Sequence, residues 1–219
     1  FPGGSTWGSG NGNTPHIDAW DPLSGAWDAA GSHPDMGGSP TYEAPTAKDL
    51  LSGDVYQVQA NNHLWVWRAE SNSTEDLGDA QLGSGSFYDL YASPSVVAEG
   101  RLIFLVDDAN AGSARVYDLT AASWSLQPLT GPAASAVASD QAMAFYDACA
   151  ASIVVKTNAS GELHLLDAQT LEASVFPTSG ELPSDAINGV HTLFQYLPKL
   201  GGYAYQPRHD AVMHFVATQ

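Results

Sequence analysis

The sequence repeats with a period of about 49 residues, and this period constrains the fold more than any other feature. Asp21 and Asp118 each end a strand-like segment and lie about 97 residues apart. Trp27 and Trp124, which begin the next segment, have the same offset. Asp167 ends another apolar segment half that distance further along the chain. A fixed period in this range is the signature of an architecture in which each repeat is one supersecondary unit.

Each repeat contains four strand-like segments. Their apolar residues alternate with polar ones or form short blocks rich in Val, Ile, Tyr, Trp and Phe, and turn-forming residues separate the blocks. In one repeat the segments cover 93–98, 101–106, 113–118 and 123–129. No stretch has the periodicity of a substantial helix. Four short strands per repeat predict an all-β chain and a β-propeller of about four to five four-stranded blades. We expect one domain over 1–219, with incomplete first and last blades.

The recurring Asp and Trp have structural explanations. An Asp at the end of a blade's third strand can accept hydrogen bonds from the backbone N–H groups of the following turn. A Trp at the start of the outer strand can fill the wedge-shaped gap between neighbouring blades. We therefore expect Asp21, Asp118, Trp27 and Trp124 to determine the fold rather than to carry chemistry.

Three segments, 6–27, 101–129 and 194–218, resemble the kelch-type blades of bacterial galactose-oxidase-like propeller proteins. The resemblance implies kelch-like four-stranded blades. Two family features differ: the double glycine that usually ends the second strand is absent, and the Arg near the start of the first strand is largely missing. The copper-radical site of galactose oxidase also requires a Cys cross-linked to a Tyr. Cys149 is the only thiol and falls between two strand-like segments, so this site is not expected.

The chain is strongly acidic. It carries 24 Asp and Glu against seven Lys and Arg, which gives a formal net charge of −17. This charge repels nucleic acids and anionic membrane surfaces, so we expect no nucleic-acid partner. The longest aliphatic and aromatic run, 102–106, is far shorter than the roughly 20 residues of a membrane helix, so no membrane insertion is expected. An acidic, Lys-poor chain with a single Cys favours an extracellular or periplasmic location.

An oxygen-rich loop follows the strand-like segment 101–106. It contains Asp107, Asp108 and Asn110, with Gly112 behind them. Calcium prefers such carboxylate and amide oxygens, so the loop is a candidate calcium site. The bidentate Glu of an EF-hand loop is missing, and a solvated turn is the alternative. The His residues do not have the spacing of a zinc site.

The C-terminal segment collects residues that a polysaccharide lyase uses. His191, Tyr203, Tyr205, Arg208 and His209 fall within about twenty residues. In such an enzyme His and Tyr act as acid and base, and Arg or a cation neutralises the carboxylate of the substrate. Tyr203 and Tyr205 are two positions apart on one strand and therefore share a face. The same face is equally consistent with packing between blades.

Trp65 and Trp67 also share a strand face. If these two rings are exposed, they would form a platform for sugar rings; packing within the propeller is the favoured interpretation.

We predict a secreted, non-enzymatic β-propeller that binds a glycan or protein partner, or that forms a structural unit of an extracellular assembly. Self-association through exposed strand edges belongs to this prediction. A polysaccharide lyase or related carbohydrate-active enzyme is the alternative, because the fold alone does not choose between them.

Overall fold

The structure of the protein is a computed structural model. It describes residues 20–21, 26–27, 33–34, 45–59, 61–81, 94–105, 112–138, 142–148, 150–157, 162–176, 193–197, 200–206 and 212–217. At 20–21, 27, 193–196 and 216–217 only the backbone is described. The described residues form 17 strands and one four-residue helix, α1 (Ala134–Val137). Within the described residues, no helix is long and apolar enough to cross a membrane. The chain divides into two compact units, Phe1–Tyr91 and Ala92–Gln219.

The first unit, Phe1–Tyr91, contains two antiparallel sheets. Its strands are β1 (Trp20–Asp21), β2 (Ala26–Trp27), β3 (Thr46–Lys48), β4 (Val55–Val58), β5 (His63–Arg68) and β6 (Ser73–Asp79). β1 pairs with β2, and β3 to β6 form a four-stranded meander in chain order, which we call blade A. A bulge between His63 and Trp65 shifts the register of β5 against β6.

The second unit, Ala92–Gln219, contains three sheets. Blade B consists of β7 (Ser95–Ala98), β8 (Arg101–Phe104), β9 (Ser113–Asp118) and β10 (Ser123–Pro128). Blade C consists of β11 (Met143–Asp147), β12 (Ser152–Lys156), β13 (Leu163–Asp167) and β14 (Ala173–Phe176). Blade D has three described strands, β15 (Leu193–Leu197), β16 (Gly202–Gln206) and β17 (His214–Ala217). In every blade the strands follow one another in chain order.

These sheets are blades of a β-propeller. Each is an antiparallel meander, and within the second unit β11 contacts both β7 and β15, so the first strands of successive blades are neighbours. The predicted all-β propeller is therefore confirmed, and four meanders together with the β1–β2 pair agree with four to five blades. The kelch type and the single domain over 1–219 stay predictions.

The structure confirms the predicted equivalence of the repeats. Trp20 lies opposite Trp27 in the β1–β2 pair, as Tyr117 lies opposite Trp124 in blade B. The Trp124 ring lies 4.9 Å from the Tyr117 ring and 5.9 Å from the Phe104 ring, measured between centroids. These contacts are all within blade B. The expected filling of a gap between blades by this Trp stays a prediction.

The Asp at the end of the third strand holds the following turn, as expected. Asp118 Oδ1 accepts the backbone N–H groups of Ala121 at 2.7 Å and of Thr120 at 2.8 Å. Asp167 Oδ1 makes the same pair of hydrogen bonds in blade C. Because these bonds favour the ionised carboxylate, they lower the pKa of both Asp118 and Asp167.

In blade A the acidic and the basic residue of this turn have changed places. Arg68 ends β5 where Asp118 ends β9, and Asp54 precedes β4 where Arg101 begins β8. Arg68 Nη1 donates to Asp54 Oδ2 at 3.1 Å, and Asp54 Oδ1 accepts the backbone N–H of Ala69 at 2.9 Å. The carboxylate that holds this turn therefore comes from the residue before the second strand instead of from the end of the third.

Two apolar cores lie between the blades of the second unit. Strand β12 contributes to both, since Ile153 and Val155 face blade B whereas Val154 faces blade D. The core between blades B and C also includes Val96, Ile103, Leu105, Val116 and Leu166. The core between blades C and D also includes Met143, Leu163, Tyr203 and Tyr205. A strand that is buried on both faces explains the uninterrupted apolar run in its sequence.

The two edges of the blades in the second unit carry different connections. In an antiparallel meander, the connections from first to second and from third to fourth strand leave from the same edge. At that edge the connections are 99–100, 119–122, 148–151, 168–172 and 198–201. The opposite edge, which we call the loop edge, is reached by 105–112, 129–142, 157–162, 177–192 and 207–213. All the longer connections of this unit therefore depart from the loop edge.

Candidate functional site

Tyr203 and Tyr205 lie on β16 and belong to the core between blades C and D. They are only 1% and 0% exposed. Tyr203 Oη donates to Asp147 Oδ2 at 3.0 Å, and its ring meets the Phe176 ring edge-on at 6.2 Å. Lys156 Nζ lies 5.5 Å from the centre of the Tyr205 ring. Both tyrosines hold the two blades together, which is the alternative interpretation of their shared face.

The other residues of the lyase hypothesis, His191, Arg208 and His209, lie outside the described residues. A catalytic acid or base must reach the proton that it transfers. In the structure, the core between blades C and D covers both Tyr203 and Tyr205. The catalytic assignment of the five residues stays a prediction, and the two tyrosines have a packing role.

Replacing Tyr203 by Phe is expected to lower the free energy of unfolding by about 1.5 kcal/mol, because the change removes a buried hydrogen bond to a carboxylate. Tyr146 is the matched control, since its hydroxyl donates to the exposed Glu99, and Tyr146→Phe is expected to cost about 0.5 kcal/mol. Urea denaturation measures both. A larger loss for Tyr146→Phe than for Tyr203→Phe would contradict the packing role.

The candidate calcium ligands Asp107, Asp108 and Asn110 also lie outside the described residues. Within the part of the chain that the structure describes, no group of three or more His, Cys, Asp or Glu side chains could hold a metal ion. The calcium site therefore stays a prediction for the connection 105–112.

Two buried basic residues lie on opposite faces of blade C. Lys156 lies opposite Leu163 and faces blade D, whereas His164 lies opposite Val155 and faces blade B. Lys156 Nζ donates to the backbone carbonyl of Thr157 at 2.7 Å. Burial lowers the pKa of Lys156 to about 8, and burial also lowers the pKa of His164. Burial disfavours the charged form of both side chains, and both are almost fully shielded from solvent.

The structure confirms that Trp65 and Trp67 share a face of blade A, because they lie opposite Gln57 and Val55 of β4. Trp67 is buried, and its Nε1 donates to Asn72 Oδ1 at 3.1 Å. Trp65 is half-buried. Trp67 is therefore a packing residue, whereas the ring of Trp65 reaches the surface of the blade.

Two glutamines beside Trp65 are absent from the sequence-based hypotheses. Gln57 and Gln59 are buried on the same face of blade A. A sequence signal exists: both glutamines stand at alternate positions of the otherwise apolar segment 55–60, where a strand face that packs would carry apolar residues. His63 lies at the rim, and its Nδ1 is 2.8 Å from Asp76 Oδ2.

The meanders define the chain as a β-propeller protein. No known protein family matches its sequence, and no curated protein matches it. Among solved structures it is similar to PorZ, an essential bacterial surface component of the type-IX secretion system of Porphyromonas gingivalis, with 9% identity and a TM-score of 0.49 over 93% of this chain. It is also similar to streptogramin B lyase, with 11% identity and a TM-score of 0.47 over 93% of this chain. The chain spans 24% and 62% of those two chains. At these values the likeness carries no functional argument.

Proposed function

We propose that this chain is a secreted, non-enzymatic binding propeller whose loop edge holds a glycan or protein partner. The observation that supports the proposal is the difference between the two edges of the second unit. Short turns close one edge, and every longer connection departs from the other. Binding residues are commonly found on loops that a rigid scaffold positions, so the loop edge is the natural binding surface.

The residues proposed for ligand binding belong, in sequence, to connections that depart from this edge. Asp107, Asp108 and Asn110 stand in 105–112, His191 stands in 177–192, and Arg208 and His209 stand in 207–213. We propose calcium as the accompanying ion. A calcium ion beside three oxygen ligands would reduce the repulsion between this acidic chain and an acidic ligand.

A role in an extracellular assembly is part of the same proposal. Within the described residues β17 pairs only with β16 and is the outermost strand of blade D. Val212, Met213 and Phe215 are exposed along this strand and just before it. An edge strand with exposed apolar residues can pair with a strand of another chain.

Glycan-array binding and polysaccharide co-sedimentation, each with and without calcium, test the proposal. The double variant Arg208→Ala/His209→Ala is expected to weaken binding of the best glycan at least about tenfold, as for central binding residues. Leu200→Ser is the matched control, because Leu200 is exposed in the turn 198–201 at the opposite edge of blade D.

Two outcomes would contradict the proposal. If no glycan binds and the protein is a monodisperse monomer that captures no partner chain, the binding and assembly roles are both wrong. If a polysaccharide is cleaved with appearance of an unsaturated product, and Arg208→Ala/His209→Ala stops the cleavage, the lyase alternative is correct.

A further inference from the structure

One face of blade A differs from the corresponding faces of the other blades. Gln57 lies opposite Trp65, and the same position of the second strand holds Phe104 in blade B, Val155 in blade C and Tyr205 in blade D. Those three side chains are apolar or aromatic and fully buried. Blade A therefore places an amide where the repeat otherwise places a core residue.

The amides continue along this face as a hydrogen-bonded row. Gln57 and Gln59 are 9% and 1% exposed. Gln59 Nε2 donates to Gln57 Oε1, and Gln57 Nε2 donates to Thr46 Oγ1 at 3.0 Å. The row ends in a buried acceptor, Gln59 Oε1, and the neighbouring Trp65 Nε1 is a buried donor. Within the described part of the chain neither atom has a hydrogen-bond partner.

A buried acceptor and a buried donor that both lack partners among the described residues destabilise the folded state. A buried polar atom without a partner costs about 1–3 kcal/mol. The blades that use apolar residues at this position show that the fold does not require amides there. Local choices that conflict with the rest of a fold are concentrated at functional sites. The row of amides therefore indicates a binding role.

The rim of this face is open to solvent. Thr46 is exposed, Trp65 is half-buried, and the His63 and Asp76 side chains are 39% and 35% exposed. Asp76 lies opposite Trp65 in the neighbouring strand β6. A ligand could thus contact the Trp65 ring and the Asp76 carboxylate at the rim. Because Gln59 Oε1 and Trp65 Nε1 are buried, it must displace the side chains that cover these two atoms before it can hydrogen bond to them.

We infer that this face, made of Thr46, Gln57, Gln59, Trp65 and Asp76, is a subsite for a neutral carbohydrate. A hydroxyl group both donates and accepts, so it can donate to Gln59 Oε1 and accept from Trp65 Nε1. An aromatic ring covers the apolar face of a sugar, and the Asp76 carboxylate accepts further hydroxyls. The same carboxylate repels uronic acids, which is why the ligand is neutral. The inference rests on the proposed function in its glycan form, and it assigns a second surface besides the loop edge.

Isothermal titration of the full chain with cellohexaose, xylohexaose and mannohexaose tests the inference, with polygalacturonate as the anionic comparison. At least one neutral probe is expected to bind, and polygalacturonate is not expected to bind at this face. Gln59→Leu and Trp65→Phe are each expected to weaken the neutral probe about tenfold, because each removes one buried hydrogen bond to the sugar. Trp124→Phe is the matched control, since it changes an indole outside this face, and it is expected to leave the affinity unchanged.

A second measurement separates loss of binding from loss of folding. In a spectrum of the indole N–H groups, the Trp65 signal is identified by its absence in Trp65→Phe, and this signal is expected to move when the probe is added. The double variant Gln57→Leu/Gln59→Leu is expected to keep or raise the melting temperature while it abolishes binding, because leucine restores the apolar character of the other blades.

The results separate this inference from the proposed function. If none of the three neutral probes binds, or if a probe binds with unchanged affinity in Gln59→Leu and Trp65→Phe, the carbohydrate subsite on blade A is wrong. In the second case, weaker binding by Arg208→Ala/His209→Ala would leave the proposed function intact. A static Trp65 indole signal during binding would also overturn the subsite.

Discussion

Replacement of Gly131 by alanine is expected to lower the free energy of unfolding by about 3 kcal/mol. Gly131 has a φ of +86°, a conformation that alanine adopts only with strain. A Cβ atom at this position would also lie 2.4 Å from the carbonyl oxygen of Ala173. The strained φ and the collision both destabilise the folded state. The collision cannot be relieved by rotation of a side chain, because the nearest atom belongs to the backbone.

The neighbouring backbone cannot move away without breaking hydrogen bonds. The segment 129–138 belongs to the connection 129–142 between blades B and C, and hydrogen bonds join it to Leu171 and to Ala173 at the start of β14. The Thr130 N–H donates to the Leu171 carbonyl at 3.1 Å, and the Ala173 N–H donates to the Thr130 carbonyl at 2.7 Å. The Ala133 N–H donates back to the Ala173 carbonyl at 3.2 Å. Relief of the collision would therefore loosen the contact between two blades.

Gly112→Ala is the matched control for this prediction. Gly112 has a nearly identical φ of +83°, but no atom lies within 4 Å of the position that a Cβ would occupy. Only the conformational strain applies, and the expected loss is about 1 kcal/mol. Urea denaturation of both variants measures the difference. Equal losses would show that the approach of Gly131 to Ala173 is not as close as described.

The repeat could be predicted from the sequence because it depends on local chemistry. The turn after a third strand needs a short acceptor, and Asp118 and Asp167 both provide one. Four strands per repeat follow from the alternation of apolar and turn-forming residues. The pairing of Trp20 with Trp27 then follows from the equivalence with Tyr117 and Trp124, without knowledge of the packing between blades.

The sites could be predicted less well because alternation assigns a residue to a face but does not say what covers that face. Tyr203 and Tyr205 share a face as expected, and the core between blades C and D covers it. Trp65 and Trp67 also share a face, yet one is buried and the other is half-buried. Gln59 is buried and donates to Gln57, and alternation alone predicts neither its burial nor this hydrogen bond.

Replacement of Lys156 by methionine is expected to raise the free energy of unfolding at pH 7 by about 2 kcal/mol. Lys156 occupies the position that Leu105 holds in blade B and Val58 holds in blade A, and all three side chains are fully buried. Burial lowers the pKa of Lys156 from its ordinary value of 10.5 to about 8. At pH 7 the folded protein must therefore keep an ammonium group in an apolar core. The hydrogen bond from Lys156 Nζ to the Thr157 carbonyl, which methionine lacks, reduces the expected gain.

The dependence on pH distinguishes this mechanism from a simple gain in packing. Between pH 8 and pH 10 the unfolded chain still binds the proton of Lys156, whereas the folded chain has released it, so the stability of the natural protein rises with pH. Lys156→Met lacks this rise, and its advantage shrinks towards pH 10. Above that pH the raised pKa of Tyr146, about 12, acts with the opposite sign, because the folded chain then retains the proton that the unfolded chain loses.

Urea denaturation at intervals from pH 7 to pH 10 measures this effect. Lys48→Met is the control, since Lys48 is only half-buried, and its replacement is expected to change the stability by no more than about 0.5 kcal/mol. A Lys156→Met advantage that stays constant across this range would mean that the ammonium is not the destabilising group. A loss of stability at pH 7 would mean that its hydrogen bonds outweigh its desolvation. The expected convergence of the two proteins towards pH 10 instead follows from desolvation of the Lys156 ammonium between blades C and D.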